Sequence, residues 1–154
     1  MAKEIERKFL LAKGASIPIP TEHEKYTIKQ AYLLAEKDKQ IRVRIVNNFK
    51  AWITVKYTGS IVRDEFEYLI PLKDAKEMYT KSKLKVEKKR LAFKSKGRYD
   101  IDTFPNGLVT VEVEFKSVAQ MNKWVKPSWL GEEITGNKKY SNITLAKKNL
   151  KFKQ

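Results

Sequence analysis

The chain has 154 residues, with 33 Lys and Arg against 18 Asp and Glu, a formal net charge of +15, one histidine and no cysteine. These counts exclude disulfides, thiolate zinc sites, iron–sulfur clusters, cysteine nucleophiles and any histidine triad or multi-histidine zinc centre, so metal chemistry here must use oxygen ligands. A hydrophobic fraction of 42% with only 6 Gly and 5 Pro describes a chain that buries a core, and one domain over residues 1–154 is the expectation at this length.

In chain order the dominant period is two, the signature of β-strands. Strands are predicted over Ala2 to Leu11, Thr27 to Leu34, Gln40 to Val46, Ala51 to Tyr57, Val62 to Ile70, Leu84 to Lys94, Arg98 to Phe104 and Leu108 to Lys116. Eight strands at such short spacing imply an antiparallel meander. Turns fall at Thr58-Gly59-Ser60, Lys96-Gly97 and Asn106-Gly107, the last suited to a type I′ hairpin. Helices are expected over Asp74 to Lys83 after Pro71, over Val118 to Val125 behind a Ser117/Gln120 capping box, and over Asn142 to Leu150 behind Ser141. The apolar runs fall far short of the roughly 20 residues that span a bilayer, and MAKEIERKFLL is charged where a signal peptide needs an apolar stretch. A cytoplasmic protein with no membrane association is the reading.

The charge is unevenly placed. Residues 72–98 carry +8 and residues 136–154 carry +6, while the remaining segments are mixed in sign. Within the strands, charged residues recur as i, i+2 pairs: Glu4/Glu6 (then Lys8), Arg42/Arg44, Glu65/Glu67, Lys88/Arg90, Asp100/Asp102 and Glu112/Glu114. Each pair projects from one strand face, and the residues between them are largely apolar. A sheet with an apolar core face and a solvated charged face would give the same alternation. Six pairs of long charged side chains, with Lys56 on a further strand, instead suggest that the charged faces line a shared interior. Eight strands closed into a barrel enclose space for side chains and a small ligand, with the apolar faces outward under the helices. Such a lumen must stay wet, pair its charges, or hold a charged guest with metal ions, because unpaired buried charges are too costly. Arginine forks suit phosphate oxygens, and clustered carboxylates suit hard divalent cations.

The residues Glu4-Ile5-Glu6-Arg7-Lys8 resemble the Glu-x-Glu-x-Lys signature of the CYTH superfamily, the triphosphate tunnel metalloenzymes. Arg42-x-Arg44, Lys56, Glu65-x-Glu67, Lys88-x-Arg90, Asp102 and Glu112-x-Glu114 follow in that family's order, and Gly131 to Thr135 and Lys138 to Asn142 are similar to the tail of its short bacterial members. The resemblance implies a mainly β fold, a closed eight-stranded antiparallel barrel with a few flanking helices, that binds a linear triphosphate with Mg²⁺ or Mn²⁺. It implies substrate binding by Lys8, Arg42, Arg44, Lys56, Lys88 and Arg90. Metal binding would fall to Glu4, Glu6, Asp102, Glu112 and Glu114, with Glu65 or Glu67 orienting the attacking water. Glu4, Glu6, Lys8, Glu65 and Glu67 are thus the catalytic candidates. Inorganic tripolyphosphate is the expected substrate. Nucleoside or thiamine triphosphates, ATP cyclisation and non-catalytic polyphosphate or nucleotide binding stand as alternatives, and a homodimer is left open. Specific nucleic-acid binding is expected only if the dyads face solvent. Tyr32 is a weaker candidate for a lumen contact; Trp52, Trp124 and Trp129 are assigned to packing. The basic excess of residues 72–98 and 136–154 is expected to be solvated surface that steers polyanions inward.

Overall fold

A computed structural model describes residues 2–57, 61–148 and 150–152. Its elements are β1 (Ala2–Leu11), β2 (Glu24–Ala35), β3 (Lys39–Val46), β4 (Lys50–Tyr57), β5 (Val62–Ile70), α1 (Leu72–Lys81), β6 (Leu84–Ser95), β7 (Gly97–Thr103), β8 (Val109–Glu114), α2 (Val118–Lys123), β9 (Leu130–Glu133), a 3₁₀ turn (Lys138–Tyr140) and α3 (Asn142–Lys147). The strands run in the order β5-β4-β3-β2-β6-β7-β8-β1, and antiparallel pairing of β1 with β5 closes them into an eight-stranded barrel. β9 adds a ninth strand against β1.

The barrel is antiparallel but not a simple meander. β2 to β5 form one, after which α1 carries the chain back across the outer face so that β6 pairs with β2. β1, first in sequence, closes the ring between β8 and β5.

Two hairpins correct the turn expectations. At Asn106-Gly107 only Gly107 has a positive φ, +87°, so the turn is not type I′. Leu108 N–H is instead accepted by the Asn106 Oδ1 atom at 3.2 Å, and Phe104 and Leu108 close the loop through a 2.9 Å backbone bond. The type I′ positions belong to Asn47 and Asn48 between β3 and β4, with φ of 54° and 51° and a 3.0 Å bond from Phe49 N–H to Val46 O. Thr58-Gly59-Ser60 lies outside the described residues. Ser117 and Ser141 cap α2 and α3 as expected, accepting from Gln120 N–H at 3.0 Å and Thr144 N–H at 3.1 Å.

The apolar faces of the strands point outward. Phe9, Tyr99, Ile101, Val111, Val113 and Phe115 form a buried layer under Met121 of α2, Trp124, Trp129 and Leu130 of β9. Val43, Ile45 and Ala51 pack beneath Ala75 and Met78 of α1. A third cluster sits inside one end of the barrel, where Leu145 and Ala146 of α3 meet the inward-facing Tyr32, Val86 and Phe104. The helices therefore do two jobs: α1 and α2 cover the outside, and α3 stops one end. Among the described residues no helix is long and apolar enough to cross a membrane.

Candidate active site

Because side chains alternate across a strand, the outward apolar faces force the charged dyads inward. They line a cavity of about 910 Å³ inside the barrel, among them Glu4, Glu6, Lys8, Arg42, Arg44, Lys56, Glu65, Glu67, Arg90, Glu112 and Glu114. The solvent-facing arrangement on which nucleic-acid binding depended is absent for these residues. Lys88 and Asp102 sit behind the cavity wall, each 1% exposed. Asp102 accepts two parallel hydrogen bonds from Arg90, at 2.7 Å from Nε and 2.9 Å from Nη2, and pairs with Lys88 Nζ at 2.8 Å.

The strand order sorts the charge into two walls. β3, β2 and β6 are consecutive and carry Arg42, Arg44, Lys88 and Arg90; β8, β1 and β5 are consecutive on the opposite side and carry Glu112, Glu114, Glu4, Glu6, Glu65 and Glu67, with Lys8 and Arg63 as the cations among them. On the basic wall, Gln30, wholly buried on β2, accepts from Arg44 Nε and Nη2, both at 3.1 Å, and donates to the Tyr32 hydroxyl at 3.1 Å. Tyr32 both packs and faces the cavity. Burial, with Arg42 and Arg90 adding like charge, pushes Arg44 down to about 9. The Nε of Arg42 is buried without a hydrogen-bond partner. Burial lowers Lys88 to about 7 despite Asp102.

On the acidic wall the crowding has the opposite sign. Burial, then Glu112 and Glu4, push Glu6 well above the usual carboxylate range. Burial and Glu4 raise Glu65 and Glu114 as well. Burial would also raise Glu4, but Lys56 and Arg63 hold it down to about 2. Lys56 Nζ lies 3.1 Å from Glu4 and 3.7 Å from Glu65. Thr54 donates to Glu67 at 2.9 Å.

The oxygen donors fit a divalent cation in kind: Glu4 Oε2 is buried with no hydrogen bond of good geometry, although Lys56 and Arg63 each approach it to 3.1 Å. Among the described residues, however, no three carboxylates are grouped closely enough to hold a metal ion as they stand. Cations of the chain itself lie between them.

Three features escaped the sequence reading. Arg63 and Arg98 line the cavity, Arg63 pairing with Glu4 and Glu6 and Arg98 with Asp100 at 3.3 Å. Both extend an existing i, i+2 series by one step, to 63/65/67 and 98/100/102, a signal present in the sequence. Asp100, set aside beside Asp102, faces the cavity and lies 3.4 Å from Arg90. The third feature corrects the solvated-surface expectation for part of residues 136–154: its described lysines are exposed, but Asn137, Lys138, Ser141, Asn142, Thr144 and Lys147 line the cavity. Hydrogen bonds fasten this segment to the barrel, with Lys8 Nζ donating to Tyr140 O at 2.8 Å and Lys88 Nζ to Asn142 Oδ1 at 3.1 Å.

The CYTH domain model matches residues 2–147. The chain belongs to the CYTH family. Over its full length this CYTH chain is 37% identical to a protein named inorganic triphosphatase from Acetivibrio thermocellus, also matched over its full length. A second inorganic triphosphatase, from Nitrosomonas europaea, is 33% identical, with 93% of this chain and 96% of the relative aligned. The crystal structure of the inorganic triphosphatase NE1496 superposes with a TM-score of 0.65 at 29% identity, covering 96% of each chain.

Proposed function

We propose that this CYTH protein hydrolyses a phosphoanhydride bond of a triphosphate, foremost inorganic tripolyphosphate to pyrophosphate and phosphate, with Mg²⁺ or Mn²⁺. The observation that carries this reading is the facing of two like-charge walls across one cavity. Arg42 and Arg90 add like charge at buried Arg44 on one wall, and Glu4 adds like charge at Glu6, Glu65 and Glu114 on the other. A metal–triphosphate complex brings both charges at once. The relatives named inorganic triphosphatase support the choice of substrate.

Arg42, Arg44, Arg90, Lys56 and Lys8 hold the phosphate oxygens and fix the chain in line. Lys88, hidden behind the wall, contributes by positioning Arg90 through their shared Asp102. Glu4, Glu6, Glu112 and Glu114 hold the divalent ion; Asp102, already engaged by two cations, keeps the basic wall in place instead. The bound metal supplies Lewis-acid polarisation and a water of lowered pKa. Glu65 and Glu67 would orient the attacking water, Glu67 being itself held by Thr54.

The test is phosphate release from tripolyphosphate, pyrophosphate, ATP and thiamine triphosphate, each with Mg²⁺, Mn²⁺ or EDTA. Tripolyphosphate is expected to be turned over fastest, and EDTA to abolish release. Binding without release, or release that persists in EDTA, would sink the proposal.

A further inference from the structure

Arg63 occupies the acidic wall in an unusual way. It lies opposite Glu4 in the β1–β5 register. A single nitrogen, Nη2, approaches both Glu4 Oε2, at 3.1 Å, and Glu6 Oε1. Its Nε is buried with no hydrogen-bond partner. Contrast Arg90, whose Nε and Nη2 meet the two oxygens of Asp102 as a parallel fork at 2.7 and 2.9 Å. The Arg90 pair is a two-pronged fork, whereas Arg63 meets its two carboxylates through one nitrogen, which donates to Glu6 and lies beside Glu4 without a fork to either. Lys56 pairs with Glu4 and Glu65, so among the ion pairs of the described residues Arg63 is the cation that joins the two acidic members of the N-terminal signature.

We propose that Arg63 is the resident counter-ion of the metal-free site, holding Glu4 and Glu6 until a divalent cation displaces it and then passing to a phosphate oxygen. This rests on the metal–triphosphate reading above and adds an order of events to it. A metal arriving alone must evict Arg63 into a lumen already rich in cations. A metal arriving with a triphosphate finds an anion beside it that accepts the released guanidinium. Metal and triphosphate therefore strengthen each other's binding, and by linkage the factor is the same in both directions.

The experiment is Mn²⁺ binding followed by the electron paramagnetic resonance of the free ion. Titrations are run with Mn²⁺ alone and with an imido-bridged tripolyphosphate, correcting for the analogue's own Mn²⁺ complex. In the unaltered protein the analogue should tighten Mn²⁺ binding by about tenfold or more, within the usual range of coupling between sites. Arg63→Gln should bind Mn²⁺ alone about tenfold more tightly than the unaltered protein, with coupling reduced to about twofold or less. Arg63→Lys should fall between the two. Unchanged or weaker Mn²⁺ binding by Arg63→Gln overturns the proposal. So does an unaltered protein that binds Mn²⁺ equally well with and without the analogue, a result that needs no variant to fold. In either of these cases metal-dependent phosphate release would stand, and only the role of Arg63 would fall. If the unaltered protein binds no Mn²⁺ under any condition and releases no phosphate, the functional reading fails and takes this inference with it.

Discussion

The two walls of the lumen are both crowded with like charge, yet they are built differently. The basic wall is braced by groups that do not have to move: Gln30 holds Arg44, and Asp102 holds Arg90 and Lys88 at hydrogen-bonding distance. The acidic wall is held by cations of the chain itself, Lys56 and Arg63, which lie where a metal would compete with them. Preorganisation thus belongs to the phosphate side, and rearrangement to the metal side. A preorganised basic wall stabilises developing charge without reorganising during the reaction. A neutralised acidic wall keeps the empty barrel from carrying several uncompensated buried carboxylates.

The largest expected effect comes from removing the acidic wall's signature pair. Glu4→Gln with Glu6→Gln should lower metal-dependent tripolyphosphate turnover by about a thousandfold or more, measured as phosphate release, since oriented electrostatic groups in such sites are each worth about 10²–10³. Retained activity would place the metal elsewhere. Next is the brace of the basic wall. Asp102→Asn leaves Lys88 buried without its anion and Arg90 with only the longer Asp100 contact, and should cost about 3–5 kcal/mol in urea unfolding. A loss under about 1 kcal/mol would show that the wall does not depend on this brace.

A smaller effect separates the two parts of the basic tail. Lys138→Ala with Lys147→Ala removes cations that line the cavity and should raise KM by about three- to tenfold, whereas Lys148→Ala with Lys151→Ala should change it by less than about twofold, as for exposed charges. Equal effects from the two pairs would erase that distinction.

The smallest effect is in pH. Glu6, Glu65 and Glu114 have raised pKa values in the fold, so the folded protein binds protons that the unfolded chain has released. Metal-free stability should therefore rise as pH is lowered from neutral toward 4.5, the ordinary glutamate value. Glu4, Glu112 and Asp102 are lowered, and the stability they contribute is lost as pH falls below the ordinary carboxylate range. The melting temperature without metal should thus pass through a maximum on the acid side of neutrality, and saturating Mn²⁺ should flatten the rise. A monotonic fall from neutral pH would contradict the raised values.

The barrel was legible because a closed sheet with one apolar face writes a strict period of two into its strands, and long charged side chains on the other face stand out against it. The dyads Arg42/Arg44 and Glu112/Glu114 needed no more than that. Arg63 carries the same period-two signal, one step ahead of Glu65 and Glu67, but as a lone cation before an acidic pair it does not read as part of that pair, although the parity of β5 places it inside. β9 was missed because Leu130–Glu133 has four residues and no alternation; Gly131 sits so close to β1 that an added Cβ would meet Leu11 O at 2.7 Å. The stopper at the barrel's end was hidden for another reason. Leu145 and Ala146 read as an ordinary helix face, and nothing local says that this face enters a lumen rather than covering an outer wall. The topology was misjudged because spacing reports neighbours in sequence, while the α1 crossover and the closing position of β1 are long-range choices.

The seam of the barrel has a consequence of its own. Along one edge β1 pairs first with β5, from Ala2 to Ile5, and later with β9, at Phe9 and Leu11. Between these two partners the edge is stitched by separate bonds: Glu6 N–H to Ile61 O at 3.4 Å, Lys8 N–H to the Thr135 hydroxyl at 2.9 Å, and Ile134 N–H to Lys8 O at 2.7 Å. Arg42 and Arg44 instead sit in β3, paired on both sides, in an unbroken ladder with β4 and in one with β2 whose register shifts only beyond Arg42. Amide protons at Glu6 and Lys8 need only a local opening to exchange with solvent, while those at Arg42 and Arg44 require the sheet itself to part. The strand bearing the family's signature is also the place where the ring of strands is joined, so the barrel closes at its chemistry.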